Sequence, residues 1–548
     1  MNDHDSAAAT FDATSSGPPS PVRLARPAAF GTAAWLASAV LGAVTMGILA
    51  ARQGVGLEVD AYTAASRLPN LFMVALPPAM APTLVPLLAD MEARRGVAAA
   101  RSLASQALAA VVVLGLLMSA VLWLAAPVLA PLLARGPDYL PGSRGLALTT
   151  TMLRWQIPNV GLSVLGGALQ ALHYRARRFT VPALAPLVQS AATTLCTLLL
   201  WDRLGIVAAA VGSLVGPLVM VLMLTPLLPA VLARPRAWDL GELRRLLRGQ
   251  GDIVGAGLLA KAGPLFEGAI ATGVGAGTLS LVGFAGQIAG SATRILSIGI
   301  ATTIFPELAE HRARGDAEAF RRRLSLALRY TLLVTLPATA GLCVLAQPLV
   351  ALLLERGAFR AQDSRVLALT LISYAPSVAL VAAGSTVTSG LFAHEETRAP
   401  AIVTVATVGL NVALALLLVR LFAMPALGIG LAASLTALVR VVLRIGILRR
   451  RAGRLDGRRI AVSAARMTAA TALMSLALIG LRDRLLTTTL SAVAGTWQIT
   501  ALRAVDLAIL TLVGGLVYAA SLKALRATEI DGALAGLRTV LRRRPAAS

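Results

Sequence analysis

Residues 85–96 read VPLLADMEARRG, and residues 305–316, which begin 220 residues later, read FPELAEHRARGD. A second pair recurs at an offset of 221, with APVLAPLLARG at 126–136 and QPLVALLLERG at 347–357. A third match pairs a histidine with a nearby proline in each half: His173 with Pro182, and His394 with Pro400. Three matches at nearly one offset indicate that the chain arose by duplication.

The composition identifies the class of protein in which this duplication occurs. Among 548 residues, charged side chains make up 14 % and apolar ones 57 %, with a mean hydropathy of +0.76. A soluble domain carries about 25 % charged residues. We therefore predict an all-α integral membrane protein. Its 50 basic and 26 acidic residues give a net charge of +24, which we assign to loops on one side of a bilayer rather than to a nucleic-acid interface.

Apolar stretches long enough to cross the ~30 Å hydrocarbon layer recur along the whole chain. We predict about fourteen crossings, six in each copy of the repeat and two after it. They are 28–51, 68–88, 102–134, 146–172, 179–201, 204–233, 252–273, 279–306, 331–354, 366–393, 399–419, 421–439, 461–481 and 502–522.

The distribution of arginine predicts the orientation, because short cytosolic loops retain positive charge. Clusters such as Arg175 to Arg178 and Arg449 to Arg451 alternate with loops that hold one or two arginines, so both termini are predicted to be cytosolic. The predicted organisation is a disordered cytosolic tail (1–27), an N-lobe (28–233), a cytosolic linker (234–251), a C-lobe (252–448), a basic cytosolic loop (449–460), two further crossings (461–524) and a basic cytosolic tail (525–548).

An even number of crossings in each copy makes the two six-helix lobes parallel repeats. Such lobes enclose a central cavity in alternating-access transporters, which predicts a transporter here.

The charged stretch from Ala309 to Ser325 is predicted to be either an amphipathic helix on the inner leaflet or a solvated loop.

Ionisable side chains within the predicted crossings are candidates for a substrate site, because retaining one at the bilayer centre costs roughly 2.5 to 3.5 kcal/mol. For Arg67 and Arg154, reaching out to the interface or forming a structural ion pair is an equal alternative. A positively charged cavity would suit an anionic head group, since arginine binds phosphate oxygens through two hydrogen bonds. The candidates are Asp60, Arg67, Arg154, Lys261, Glu267 and Arg294.

Sequence motifs for catalysis or nucleotide binding are absent: the chain has neither a Walker A motif nor an HExxH motif. We therefore expect a protein that is not an enzyme and has no cofactor. Energy for transport would come from a coupling monovalent cation or the membrane potential, which supplies about 2.3 kcal/mol per charge per 100 mV.

Several motifs resemble the MurJ/MviN family of lipid II flippases. They include DAYTAASRLPNL at 60–71, ERGAF at 355–359 and ETRAPAIVTVATVGLNVALALLL at 396–418. The resemblance implies the multidrug/oligosaccharidyl-lipid/polysaccharide exporter fold in the bacterial cytoplasmic membrane. It also implies a substrate, an undecaprenyl-pyrophosphate-linked disaccharide-peptide that moves from the inner to the outer leaflet for peptidoglycan synthesis.

The resemblance also assigns site residues, and here the chain departs from the family. Family members typically carry arginines on helices 1, 2 and 8, where alignment places Ala39, Thr45, Met73, Val74 and Gln287. Asp60 matches the family's helix 2 aspartate, and Glu267 falls where many relatives have Asp or Asn. The expected substrate-binding residues are therefore Asp60, Arg67, Lys261, Glu267, Gln287 and Arg294.

Two other functions stay open on the sequence. The missing arginines favour an ion-coupled exporter of amphiphilic small molecules, whereas the ERGAF and ETRAP segments favour the flippase. A non-transporting scaffold that recruits cell-wall synthesis proteins would tolerate the loss of every cavity charge. The expected partners are a lipid-linked anionic substrate, membrane lipids and, as a further hypothesis, cell-wall synthesis proteins.

Overall fold

The computed structural model describes residues 21–227, 238–422, 424–453, 455–489, 496–527 and 529–531. Within these residues every regular element is a helix, which confirms the all-α class. The chain divides into two compact units, Met1–Ser280 and Leu281–Ser548, and each is described separately.

The helices of the first unit follow one another with short connections. They are α1 (Pro21–Gln53), α2 (Leu57–Ala75), α3 (Pro77–Arg95), α4 (Val97–Leu133), α5 (Arg144–Gln156), α6 (Pro158–Arg175), α7 (Thr180–Leu204), α8 (Val207–Leu224), α9 (Leu240–Lys261) and α10 (Gly263–Val274).

The remaining helices continue the same pattern. They are α11 (Thr278–Ala313), α12 (Ala317–Val344), α13 (Ala346–Leu354), α14 (Ala361–Ala393), α15 (Arg398–Leu421), α16 (Pro425–Ala452), α17 (Gly457–Thr489) and α18 (Thr496–Ala524).

Most of these helices could cross a membrane. In the part of the chain that the structure describes, eleven helices are long and apolar enough to cross a bilayer, counting α2 and α3 as one. The predicted crossings at 146–172, 252–273 and 279–306 also fall on helices, α5 with α6, α9 with α10, and α11, although these are not among the eleven. The count of fourteen therefore stays a prediction.

The repeated segments have the same local conformation in both copies. Gly96 ends α3 with φ +84°, and Gly315, one residue before the position that matches Gly96, follows α11 with φ +72°. Gly136 and Gly357 end the second pair of repeated segments with φ +124° and +57°. Glycine adopts this left-handed region without the steric penalty of a Cβ, so the repeated sequence encodes the same helix ends twice.

The predicted amphipathic helix over Ala309–Ser325 is wrong. Helix α11 runs on to Ala313, Gly315 turns the chain, and α12 begins at Ala317. Asp316 caps the new helix by accepting a hydrogen bond from the Ala319 amide at 2.8 Å. The charges therefore belong to the ends of two long helices, where an aspartate cap and a left-handed glycine specify a tight turn.

Small residues allow close packing of helices within each unit. In the first unit α7 packs on α8, and a Cβ added at Gly212 would lie 2.5 Å from Thr197 Oγ1. In the second unit α14 packs on α16, where Gly430 lies against Ser373 and Ser434 Oγ donates to the Ser373 carbonyl at 2.7 Å. Such contacts are typical of membrane helices, which associate through van der Waals packing rather than through the exclusion of water.

The boundary of the first unit lies beyond the predicted linker. Leu240–Gln250, within the predicted linker 234–251, is already helical, because Asp239 caps α9 by accepting from the Glu242 amide at 3.2 Å. Helices α9 and α10 pack on α2, and α9 also packs on α3, which places both in the first unit. The predicted lobe boundaries stay a prediction.

Candidate functional site

Asp60 lies near the start of α2 and is fully buried. Its carboxylate accepts hydrogen bonds from the amides of Gly277 and Ser280, each at 2.6 Å, and from the Ser280 hydroxyl. These donors belong to the turn that begins α11, where the first amides of a helix have no partner within the helix. The carboxylate therefore acts as a helix cap supplied from a distant part of the chain, and its charge also suits the positive end of the helix dipole.

Arg67 lies two turns further along α2. Its guanidinium donates to the carbonyl of Pro264, and its side chain lies over Gly268, where an added Cβ would be 2.8 Å from Arg67 Cδ. Gly268 thus provides the space that Arg67 occupies. The arginine contacts the junction between α9 and α10.

Lys261 and Glu267 lie on opposite sides of that junction. Lys261 is the last residue of α9 and is exposed, whereas Glu267 is half-buried on α10. The sequence treated both as part of one continuous helix, but the helix is interrupted at Ala262, immediately before Gly263 and Pro264. Of the six predicted site residues, the structure therefore brings Arg67, Lys261 and Glu267 to one place in the first unit.

Two other crossings of the first unit are interrupted in the same way. Helix α2 gives way to α3 at Pro77, and α5 gives way to α6 at Pro158. Proline cannot donate the backbone hydrogen bond that would continue the helix, and its ring clashes with the preceding turn. Three crossings of the first unit are therefore interrupted at such junctions within the residues that the structure describes.

Gln287 and Arg294 lie on α11 in the second unit, and both are exposed. Seven residues separate them, so they share one face of the helix. Arg294 donates to the Ser291 hydroxyl at 3.1 Å.

Two of the positions where family arginines were expected, Thr45 and Met73, form hydrogen bonds between helices. Thr45 forms a hydrogen bond with Thr194 of α7, with 2.7 Å between the two hydroxyls. Met73 accepts a hydrogen bond from the Asn159 amide at 3.1 Å through its sulfur atom. Neutral side chains at Thr45 and Met73 therefore connect helices of the first unit.

Sequence reasoning missed two arginines, Arg440 and Arg444, which lie well inside α16. Both are half-buried, and each donates to a threonine hydroxyl of α15. The sequence prediction ended this crossing at Val439, just before the first charge, and so left both residues outside the predicted crossing although within the predicted C-lobe. Their spacing of four residues in an otherwise apolar stretch was the available signal, because it places two cations on one helix face.

Comparison with known proteins identifies the family. The family model for the lipid II flippase MurJ matches residues 49–496, which is most of the chain. The chain belongs to the MurJ lipid II flippase family.

Individual MurJ proteins are similar at low identity. A probable lipid II flippase MurJ from Bdellovibrio bacteriovorus is 26 % identical over the matched region, which is 50 % of this chain and 53 % of that protein. One from Rhizobium meliloti is 28 % identical over 70 % of this chain and 73 % of its own length. A solved structure of lipid II flippase MurJ in an inward closed conformation superposes with a TM-score of 0.73 at 18 % identity, covering 90 % of this chain and 97 % of that one.

Membership of the MurJ family supports the transporter class that was predicted from the sequence. The family consists of lipid II flippases, which are transporters and not catalytic enzymes. Together with eleven apolar helices in the described residues, this makes the chain a multi-pass protein of the bacterial inner membrane.

Proposed function

We propose that this chain is an alternating-access flippase for an undecaprenyl-pyrophosphate-linked saccharide, lipid II or a related precursor. It moves this lipid from the inner to the outer leaflet for cell-wall synthesis. The observation that carries the proposal is the match of the MurJ family model to residues 49–496. The same match favours the flippase over an exporter of amphiphilic small molecules and over a scaffold.

The interrupted crossings of the first unit support a mechanism in which helix segments reorient. The junctions at Pro77, Pro158 and Pro264 lack a continuous backbone hydrogen-bond ladder, so bending there disrupts fewer bonds than bending within a regular helix. Arg67 donates to the Pro264 carbonyl and so joins α2 to the start of α10. In this proposal Arg67 stabilises one state of the α9 and α10 junction.

Asp60 supplies a second contact that would hold one state. Its three hydrogen bonds attach α2 to the start of α11, and two of them are 2.6 Å long. Hydrogen bonds to a charged group contribute about 1.5–3 kcal/mol each. Any conformational cycle that separates α2 from the turn at Gly277 must offset that stabilisation. The membrane potential supplies about 2.3 kcal/mol per charge per 100 mV, so more than one charge would have to move, or new contacts would have to replace these bonds.

The energy source, the orientation and the protein partners belong to the same proposal. A coupling monovalent cation or the membrane potential would drive transport. Both termini would be cytosolic, as the arginine distribution indicates. Cell-wall synthesis proteins that use the translocated lipid would be the protein partners.

Depletion of the protein in its host tests the proposed function. We expect lipid-linked peptidoglycan precursors to accumulate on the inner leaflet, measured by extraction and leaflet-specific labelling. Accumulation of an amphiphilic metabolite or drug without such a lipid would favour the exporter and contradict the proposal.

Charge reversal distinguishes transport from a scaffold. We expect Lys261→Glu and Glu267→Lys to reduce complementation of the depleted strain, while Arg314→Glu, which removes an exposed ion pair with Glu310, has little effect. A scaffold would function unchanged in all three variants.

A further inference from the structure

A basic pocket lies in the second unit, where α12, the start of α17 and the chain after α18 meet. Its volume is about 600 Å³. Arg329 lines it from α12, and Glu529 lines it from the chain after α18. The remaining lining residues belong to the start of α17 and the turn before it, and they are Asp456, Arg458, Arg459, Val462, Ser463 and Arg466. Four arginines and two carboxylates give the pocket a net positive charge.

Two of the arginines are neutralised within the pocket. Arg329 pairs with the Glu529 carboxylate at 2.7 Å, and Arg459 pairs with Asp456 at 3.2 Å. Glu529 and Ser463 are both buried, and the Ser463 hydroxyl donates to the Glu529 carboxylate. These contacts fix the floor of the pocket and use both of its carboxylates.

The other two arginines, Arg458 and Arg466, keep their charge available. Among the residues that the structure describes, no ion pair includes either of them. Arg466 donates from Nη1 to the Arg526 carbonyl at 2.9 Å, which orients the guanidinium and leaves four of its five N–H groups for other acceptors. The pocket therefore presents two positive charges without a counter-charge.

One face of α17 carries both of these arginines and an apolar stripe. The residues of this face follow one another in steps of three or four, and they are Arg458, Val462, Arg466, Ala469, Leu473 and Leu476. The side chains of Val462, Leu473 and Leu476 are exposed. The basic pocket thus continues along the same helix face into an exposed apolar surface.

The arginines lie at one boundary of the predicted crossing 461–481. Arg458 precedes this crossing and Arg466 lies within it, and the eight residues that separate them correspond to about 12 Å of helix. The head-group layer on each side of a bilayer is roughly 5 to 8 Å thick. The two arginines therefore span the head-group layer and the first turns of the hydrocarbon. Arg449 to Arg451 end the preceding helix, so this is the predicted cytosolic side.

The chemistry of this face complements a phospholipid with a net negative charge. A guanidinium donates two parallel hydrogen bonds to phosphate oxygens, and the neighbouring apolar stripe can contact an acyl chain. The cytoplasmic leaflet is rich in anionic lipids, and basic pockets between membrane helices on that side suit their head groups. A zwitterionic lipid carries the phosphate but does not neutralise the two free arginines.

We propose that this pocket binds the head group of an anionic phospholipid. Arg458 and Arg466 hold the phosphate, and an acyl chain lies along Leu473 and Leu476. The bound lipid contacts α12, α17 and the chain after α18, and it stabilises the second unit because it binds only the folded state. The site is separate from the transported substrate and does not depend on the proposed flippase function.

Lipid titration of the purified full-length chain in neutral detergent tests the site, with bound lipid counted by native mass spectrometry. The probes are phosphatidylglycerol and phosphatidylcholine with identical acyl chains. We expect the double variant Arg458→Gln with Arg466→Gln to weaken phosphatidylglycerol binding at least tenfold and to leave phosphatidylcholine binding within twofold of wild type. Unchanged phosphatidylglycerol binding in this variant would overturn the site.

A charge-matched control distinguishes the pocket from general attraction to a basic surface. Arg312→Gln with Arg450→Gln removes the same charge from exposed positions on the same predicted side of the membrane, and we expect phosphatidylglycerol binding within twofold of wild type. An equal loss in this control would overturn the site. If the double variant of the pocket fails to fold, Arg458→Gln alone decides, because Arg458 is exposed. We expect at least a threefold loss, and wild-type affinity would contradict the proposal.

Two further probes separate the phospholipid from other phosphate-bearing ligands. Glycerophosphoglycerol has the same head group without acyl chains, and we expect it to bind at least tenfold more weakly than phosphatidylglycerol. Equal affinity would assign the pocket to a soluble phosphate compound. Undecaprenyl pyrophosphate is expected to bind the double variant within twofold of wild type. A loss as large as that for phosphatidylglycerol would assign the pocket to the transported lipid and overturn the inference.

Discussion

At the scale of single residues, one buried carboxylate connects distant parts of the sequence. Asp60 matched the family motif and was predicted to bind substrate, yet its oxygens accept hydrogen bonds from Gly277 and Ser280, more than 200 residues later. A single sequence does not reveal such pairs, because nothing in local spacing links residue 60 to residue 277. The identity of the aspartate was predictable from the motif, and its partner was not.

Replacing Asp60 tests the cap. We expect Asp60→Asn to lower the free energy of unfolding by about 1.5–3 kcal/mol, because the charge is lost and an amide NH2 then faces a donor. Thermal unfolding in detergent measures the change. Ser280→Ala is the matched control, since it removes the hydroxyl bond but keeps both amide bonds, and its cost is expected to be smaller than that of Asp60→Asn. Equal costs in the two variants would contradict the cap.

The surroundings of the Glu529 carboxylate predict that the stability of the second unit depends on pH. Burial alone would raise its pKa, but hydrogen bonds from Ser463 and from Arg329, the latter at 2.7 Å, hold the pKa below its usual value. The folded state therefore binds this proton less tightly than the unfolded state. The stabilisation is complete above the usual glutamate pKa of about 4.3 and is lost as the pH falls through the lower, folded value.

The variant Glu529→Gln measures that contribution. At pH 7 we expect a loss of about 3–5 kcal/mol, because the variant leaves Arg329 partly buried without its counter-charge. Below about pH 4 the difference from wild type is expected to shrink as Glu529 itself becomes protonated. Glu318→Gln, in an exposed pair with Arg322, serves as control and is expected to change stability by less than about 1 kcal/mol. A deficit that is independent of pH would contradict this assignment.

At the scale of helices and turns, the helix ends were the features that the local sequence predicted. The repeated glycines end helices in both copies because glycine alone adopts their backbone conformation without strain. Helix continuity was less predictable. Lys261 and Glu267 were placed on one helix, but that helix is interrupted at Ala262, before Gly263 and Pro264. Helix α16 continues to Ala452, beyond the predicted end of its crossing at Val439.

Alanine substitution tests the turn glycines. We expect Gly315→Ala to cost about 1–2 kcal/mol, because a Cβ is disfavoured at its φ of +72°. Gly446→Ala, in the interior of α16 with open space around an added Cβ, is expected to be neutral or to stabilise by up to about 1 kcal/mol. Thermal unfolding of both variants provides the comparison, and equal effects would show that the backbone conformation is not the cause.

At the scale of the whole molecule, the duplicated sequence and the membership of the MurJ family indicate the same class of protein, a multi-pass membrane transporter. Composition and the repeat were sufficient to predict an all-helical membrane transporter, because both depend on pattern rather than on individual contacts. The predicted site residues stay a prediction. Arg67, Lys261 and Glu267 lie at one junction, but the contact of Arg67 with Pro264, 197 residues later, required knowledge of which helices are neighbours.

Topology is the whole-molecule prediction that follows from the arginine distribution. We expect a C-terminal fusion to green fluorescent protein to fluoresce and a C-terminal fusion to alkaline phosphatase to be inactive, because both report a cytosolic C-terminus. Fusions placed after Gly136, in a predicted external loop, should behave in the opposite way. An active phosphatase at the C-terminus would require an odd number of crossings.

Transport of the lipid is the central claim, and reconstitution measures it most directly. The purified chain is placed in phospholipid vesicles that contain lipid II, a membrane potential is imposed, and the fraction of lipid II accessible to an external reagent is followed over time. We predict that this fraction rises in vesicles with the wild-type chain and stays constant in protein-free vesicles. An equal time course in both, with the chain correctly folded, would contradict the account.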